Sequence, residues 1–180
     1  MSANGSVARR YARALLEIGL ETKRLRSLLN ELERVSDAIG ESSELRDVLR
    51  NPMVLPSQRK KVLAALTQRL GTSKEVRNAC MLLVERGRGD IIPDIARELR
   101  VMVDDHEGIV RAEVVSATPL TATYMDQLTT TLAKATGKKI EVTTKQDKDL
   151  IGGVVTRVGG VVYDGSLKTR LARVREQMIR

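Results

Sequence analysis

Few residues in this chain could do chemistry. The single histidine, His106, sits in Asp104-Asp105-His106-Glu107, and the single cysteine is Cys80. A zinc centre draws several Cys or His ligands at short spacing, whereas here one of each stands 26 positions apart. His106 could serve a Ser-His-Asp arrangement, but no Gly-x-Ser-x-Gly elbow is present. A polar helix end stopped by Gly108 accounts for His106. Burial within Ala79-Cys80-Met81-Leu82-Leu83-Val84 accounts for Cys80 as a small hydrophobe. The pairs Gly152-Gly153 and Gly159-Gly160 invite a phosphate cradle, yet neither fits Gly-x-x-x-x-Gly-Lys-Ser/Thr or Gly-x-Gly-x-x-Gly. Glycines at strand ends serve turns, bulges and close backbone approaches instead. No catalytic, cofactor-binding or metal-ligating set emerges, so the chain reads as a binder and not an enzyme.

The elements around these residues change grammar once. Residues 6–108 carry helical periodicity. A first stripe is Val7, Tyr11, Ala14, Leu15 and Ile18. A second is Leu25, Leu28, Leu29, Leu32, Val35 and Ile39, with Gly40 expected just past its end. A short third helix is expected over Glu44–Arg50, stopped by Asn51-Pro52 because the residue before proline avoids the helical region. Pro56 opens a fourth helix running to Gly71. Thr72-Ser73-Lys74-Glu75 reads as a capping box for a fifth that ends at Gly87. Asp90 is placed to cap a sixth, with Ile91, Ile95, Leu99 and Met102 on its apolar face.

After Gly108 the pattern becomes mixed. Residues 109–115 and 139–144 read as strands, and 121–135 as a helix with Met125, Leu128 and Leu132. Val154–Val158 and Val161–Tyr163 form a hairpin around Gly159-Gly160. Asp164-Gly165-Ser166 then opens a last helix with Leu167, Leu171, Val174 and Met178. The expected fold class is α+β: a six-helix N-terminal bundle over residues 1–108, followed by a small α/β domain over residues 109–180.

Composition limits the partners. Hydrophobic residues make up 42% of the 180 and charged residues 30%, so a folded domain is expected and not a disordered tail. The net charge of +8 points to an acidic partner, whether nucleic acid, anionic lipid or acidic protein. A basic nucleic-acid-binding module is therefore the alternative reading, but base-stacking surfaces lean on aromatics, and three Tyr with no Phe or Trp stand against it. The final segment is the most basic, with Lys168, Arg170, Arg173, Arg175 and Arg180 against Glu176. No apolar run approaches the ~20 residues that span a bilayer, so no direct membrane insertion is expected.

Surplus apolar surface suggests where binding occurs. Successive helical residues point about 100° apart, so Ala79 through Val84 place apolar groups around most of the helix circumference. Ala8, Ala12, Ala14, Leu15 and Leu16 broaden the first helix in the same way. Such faces are either enclosed or kept for an amphipathic helix from another protein.

Several stretches, taken in order, resemble one family. They are Arg9-Arg10-Tyr11-Ala12-Arg13-Ala14-Leu15, Asn51-Pro52, Glu85-Arg86-Gly87-Arg88 and Val114-Val115-Ser116-Ala117-Thr118-Pro119-Leu120-Thr121. Asp149-Leu150-Ile151-Gly152-Gly153, then Asp164-Gly165-Ser166 and Leu171, are the most specific. The chain resembles the delta subunits of F-type ATP synthases, homologues of mitochondrial oligomycin-sensitivity-conferring protein. It departs at Lys148, where relatives often carry proline. The resemblance implies a non-catalytic stator subunit with no cofactor, joining the F1 head to the peripheral stalk so that proton-driven rotation is coupled to ATP synthesis. It implies that the first and fifth helices bind the N-terminal helix of an alpha subunit through Tyr11, Ala14, Asn78 and Leu82. It also implies that residues 109–180 meet the b (or b/b′) stalk subunits, with Gly152, Gly153, Asp164, Gly165 and Ser166 as a structural motif. The expected location is peripheral, on the cytoplasmic face of the bacterial inner membrane.

Overall fold

In a computed structural model of the chain, residues 3–51, 53–118, 120–147, 150, 152–158, 161–167 and 169 are described. The expected last helix, the Gly159-Gly160 turn, Asp149, Ile151 and Lys148 lie outside them, apart from Leu167 and Thr169.

Six α-helices precede the first strand: α1 (Ala3–Glu21), α2 (Leu25–Glu41), α3 (Ser43–Arg50), α4 (Pro56–Arg69), α5 (Lys74–Glu85) and α6 (Ile92–Glu107). Every one of them gives side chains to a single apolar cluster. Its centre includes Leu28, Leu32, Leu49, Leu63, Leu83, Ile95 and Leu99, each at most 1% exposed. The α2 stripe is buried as its spacing predicts. The α1 stripe is rotated from its expected phase. Ala8, Ala12 and Leu15 face the cluster, Val7 and Tyr11 lie at its margin, and Ala14 and Ile18 are exposed. Small alanines let α1 come close to α2, and at Gly19 an added Cβ would stand 2.7 Å from Leu25 Cδ1.

Several helix ends differ from the local signals. Gly40 stays inside α2, which runs on to Glu41. Ser42 then takes over as N-cap of α3, its side chain accepting from Leu45 N at 3.1 Å. The capping box before α5 does not form. Thr72 is buried with its hydroxyl donating to the Thr67 carbonyl, and Ser73 is the cap residue without a side-chain cap bond. Glu31 of α2 takes that place, its Oε2 accepting from Ser73 N at 2.8 Å. Asp90 does not cap α6 either, because it lies in a 3-10 turn (Gly89–Ile91) that leads straight into the helix. Asn51 ends α3 in extended conformation, and its carbonyl accepts from Arg59 Nη2 at 2.7 Å.

The second part contains β1 (Ile109–Ser116), α7 (Ala122–Thr136), β2 (Lys139–Gln146), β3 (Val154–Val158) and β4 (Val161–Asp164). The sheet order is β2-β1-β3-β4. β1 and β2, joined through α7, run parallel, while β3 pairs antiparallel with both β1 and β4. Thr121 caps α7 at its start, and Gly137 ends it in the left-handed region at φ 66°. Ala112, Ile140 and Val158 form a small buried cluster with Leu132 and Ala133 of α7 packed on it. The whole is mixed α+β, with seven α-helices and one four-stranded sheet among the described residues.

The chain divides into two compact units, Met1–Val103 and Asp104–Arg180. The division falls inside α6, ahead of Gly108, because Asp104 belongs with the sheet. Its carboxylate, 8% exposed at the residue level, accepts from Arg111 Nε and from Arg111 Nη2 at 3.0 Å.

Candidate partner-binding surface

The helical unit leaves apolar side chains outside its cluster on α1 and α5. Tyr11 is half-buried against the cluster, and Ala14 is exposed one turn further on. Ile18 is 37% exposed and continues the same strip. On α5, Asn78 and Leu82 stand four residues apart and so share a face. Asn78 is exposed and Leu82 is 41% exposed, while Val76, Cys80, Leu83 and Val84 fill the interior. Both helices lie against α2. All-round hydrophobicity of α5 therefore resolves into a buried face and a residual outer one. Neither helix is wholly enclosed.

What fixes the start of α5 is Glu31. A carboxylate that accepts a main-chain N–H at a helix N-terminus meets the positive end of the helix dipole. Its Oε1 also accepts from Ser27 Oγ at 3.0 Å and lies 3.6 Å from Arg24. Burial raises the Glu31 carboxyl, but hydrogen bonds from Ser73 and Ser27 and the charge of Arg24 outweigh it. The group is held below its ordinary value. Sequence reasoning missed this residue: the acceptor and the donor are 42 positions apart, and no local pattern links them.

Cys80 is buried, and desolvation pushes its thiol up to about 12, which leaves it protonated and unreactive at neutral pH. His106 is exposed near the end of α6. Among the described residues no group of three or more His, Cys, Asp or Glu could hold a metal ion.

The glycine-containing motif of the second unit is brought together from two segments. Gly153 has φ +87°, and a Cβ there would lie 2.4 Å from the Gly165 carbonyl oxygen and 2.8 Å from Ser166 Cα. Gly165 N donates to the Val154 carbonyl and Leu167 N to the Gly152 carbonyl, both at 2.9 Å. Asp164 Oδ1 accepts from Ser166 N at 2.9 Å, and its Oδ2 accepts from Thr169 Oγ1 at 2.8 Å. Backbone meets backbone here, so only hydrogen fits at Gly153. These residues hold a tight crossing of two segments, not a phosphate.

On the sheet, Glu113 is bracketed by Lys145 of β2 and Arg157 of β3. The hydrogen bond from Lys145 and its charge hold that carboxyl below the ordinary range. This charge ladder orders neighbouring strands and presents no reactive group.

The fold is that of a mixed α+β protein in two units. Its helical unit carries an apolar face left outside the core. A family model for the ATP synthase delta (OSCP) subunit matches residues 7–178. The chain is 39% identical to the ATP synthase subunit delta of Geobacter sp. (strain M21), over 98% of this chain and 97% of that protein. It is 40% identical to the ATP synthase subunit delta of Myxococcus xanthus (strain DK1622), over 97% of each. The fold is similar to a chain in the cryo-EM structure of the Toxoplasma gondii mitochondrial ATP synthase hexamer. There the TM-score is 0.71 at 25% identity, covering 100% of this chain and 99% of that one. The chain belongs to the ATP synthase delta (OSCP) subunit family. A nucleic-acid-binding role is not favoured by these likenesses, and no helix among the described residues is long and apolar enough to cross a membrane.

Proposed function

We propose that this chain is the stator subunit that ties the F1 catalytic head to the peripheral stalk, so that the head does not turn with the rotor. In this reading the helical unit is a six-helix bundle. Its α1 and α5 hold the N-terminal helix of an alpha subunit between Tyr11 and Ala14 on one side and Asn78 and Leu82 on the other. The observation that carries it is the apolar surface these two helices leave beside the core, with Tyr11 half-buried at its margin and Ile18 and Leu82 exposed. An amphipathic helix laid on such a strip is read through anchors at i, i+3, i+4 and i+7. The second unit then meets the b or b/b′ subunits. The assembly sits peripherally on the cytoplasmic face of a bacterial inner membrane. The chain contributes no bond-making group. Its work is to remain attached under load, which calls for slow dissociation from a well-packed contact and not for surface ion pairs.

Calorimetric titration of the full chain with a peptide of an alpha-subunit N-terminal helix tests this. Tyr11→Ala and Leu82→Asp each weaken binding at least ~10-fold, about 1.4 kcal/mol, while Lys134→Ala on α7 leaves it unchanged. Unaltered affinity in both α1 and α5 variants removes the groove.

A further inference from the structure

The helical unit has a second concave feature, which shares no helix with the strip on α1 and α5. A cleft of ≈ 300 Å³ opens where the end of α2, the helix α3 and the 3-10 turn before α6 converge. The buried Ile39 and Leu49, with Pro93, give it apolar walls, and the exposed Arg46, Arg50 and Asp90 give it charge. Arg46 and Arg50 stand four residues apart on α3 and so share a helix face, where two like charges cost a little stability. Neither guanidinium has an ion-pair or hydrogen-bond partner among the described residues. Arg100 is paired with Glu33, Arg97 with Asp94 and Arg9 with Glu98, while Arg10, Arg13 and Arg34 stand without an ion pair among the described residues, as Arg46 and Arg50 do; what sets these two apart is that both line one cleft with apolar walls.

We propose that this cleft receives one acidic side chain, flanked by an apolar neighbour, from a partner polypeptide. The charge of the lining decides the ligand class. Two arginines less Asp90 leave one unit of positive charge, which a single carboxylate balances. A phosphate would instead bring a second negative charge toward Asp90. The planar guanidinium fork matches a carboxylate in bidentate fashion, and the apolar walls take the stem or neighbour of the acidic residue. The cleft thus supplies a second, charge-read contact beside the apolar one. It fixes orientation more than total affinity.

The test uses the full chain and three probes: a capped Leu-Glu-Leu tripeptide, its Leu-Gln-Leu counterpart and inorganic phosphate, each followed by amide shifts in NMR titrations. The glutamate peptide gives saturable shifts localised at Gly40, Leu49 and Arg50. The glutamine peptide and phosphate bind at least ~10-fold more weakly. The double variant Arg46→Gln/Arg50→Gln loses the glutamate-peptide response, whereas Tyr11→Ala keeps it, which separates this site from the α1–α5 reading. Asp90→Asn raises the phosphate response. Equal binding of the two peptides, phosphate binding as strong as the glutamate peptide, or an undiminished response in the double variant overturns the proposal. The peptide comparison stands on the unaltered chain, so it decides even if a variant folds poorly.

Discussion

The two units are held together by different physics. In the helical unit every α-helix from α1 to α6 sends aliphatic side chains into one cluster, and residues such as Leu28 and Leu99 have lost essentially all contact with water. In the sheet unit the buried cluster is small, and among the described residues no side chain of α7 is buried. What organises that unit is the strand ladder, the Arg111–Asp104 pair, the charges around Glu113 and the backbone crossing at Gly153. The difference teaches that the first unit tolerates surface charge changes and not core truncation. The second depends on geometry at a few points. Ile18 and Leu82 of the helical unit stay outside its aliphatic cluster.

The sharpest way to break this comparison is a core truncation. Leu28→Ala leaves a cavity in the helical cluster and lowers stability by about 2–5 kcal/mol. Hydrogen exchange of the full chain shows protection lost across α1 to α6 first. Equal and simultaneous loss in β1 to β3 would mean that the units unfold as one body. Second in size is Gly153→Ala, which puts a Cβ against the Gly165 carbonyl at a left-handed φ and costs roughly 1–3 kcal/mol. Exchange accelerates in β3 and β4, while α2 and α6 are unmoved. An unchanged β3 would show that the crossing yields without cost.

The smallest effect sharpens the account of how α5 is positioned. The folded-state value of Glu31 is depressed, so its stabilisation is fully present above the ordinary value of 4.5 and is lost as pH falls through the folded value. Glu31→Gln removes that dependence. Urea unfolding at neutral pH and again below pH ~4 then shows a gap of about 1 kcal/mol between wild type and variant, which narrows as acid protonates the wild-type carboxyl. A gap that is constant with pH would assign the effect to shape and not to charge.

Much of the fold was legible because local patterns decide it. The stripe from Leu25 to Ile39, Pro56 at the first turn of α4, and the strands at Ile109, Lys139, Val154 and Val161 all follow from spacing within a few residues. Gly71, Gly87 and Gly108 take the left-handed conformation that L side chains avoid, so each marks a stop. The candidate surface was legible as surplus, because α1 and α5 hold more apolar residues than one stripe needs.

Local signals failed wherever a distant group could do the same job. The Thr72–Glu75 box lost to Glu31, because a buried carboxylate from α2 satisfies the N-terminus of α5 and frees Thr72 to bond back to Thr67. The phase of the first stripe was settled by neighbours. Ala8 and Ala12 face inward since their small size permits close packing, Tyr11 lies at the margin and Ile18 is exposed. The central place of β1 in the sheet and the meeting of Gly153 with Gly165 likewise came only from the folded chain. Periodicity and turn chemistry act over one or two turns of backbone, so the sequence by itself determined the elements, most of their stops and the excess of apolar surface. Which face turns inward, which carboxylate caps which helix and which arginines are left unpaired depend on contacts between residues far apart along the chain, and those the tertiary structure decided.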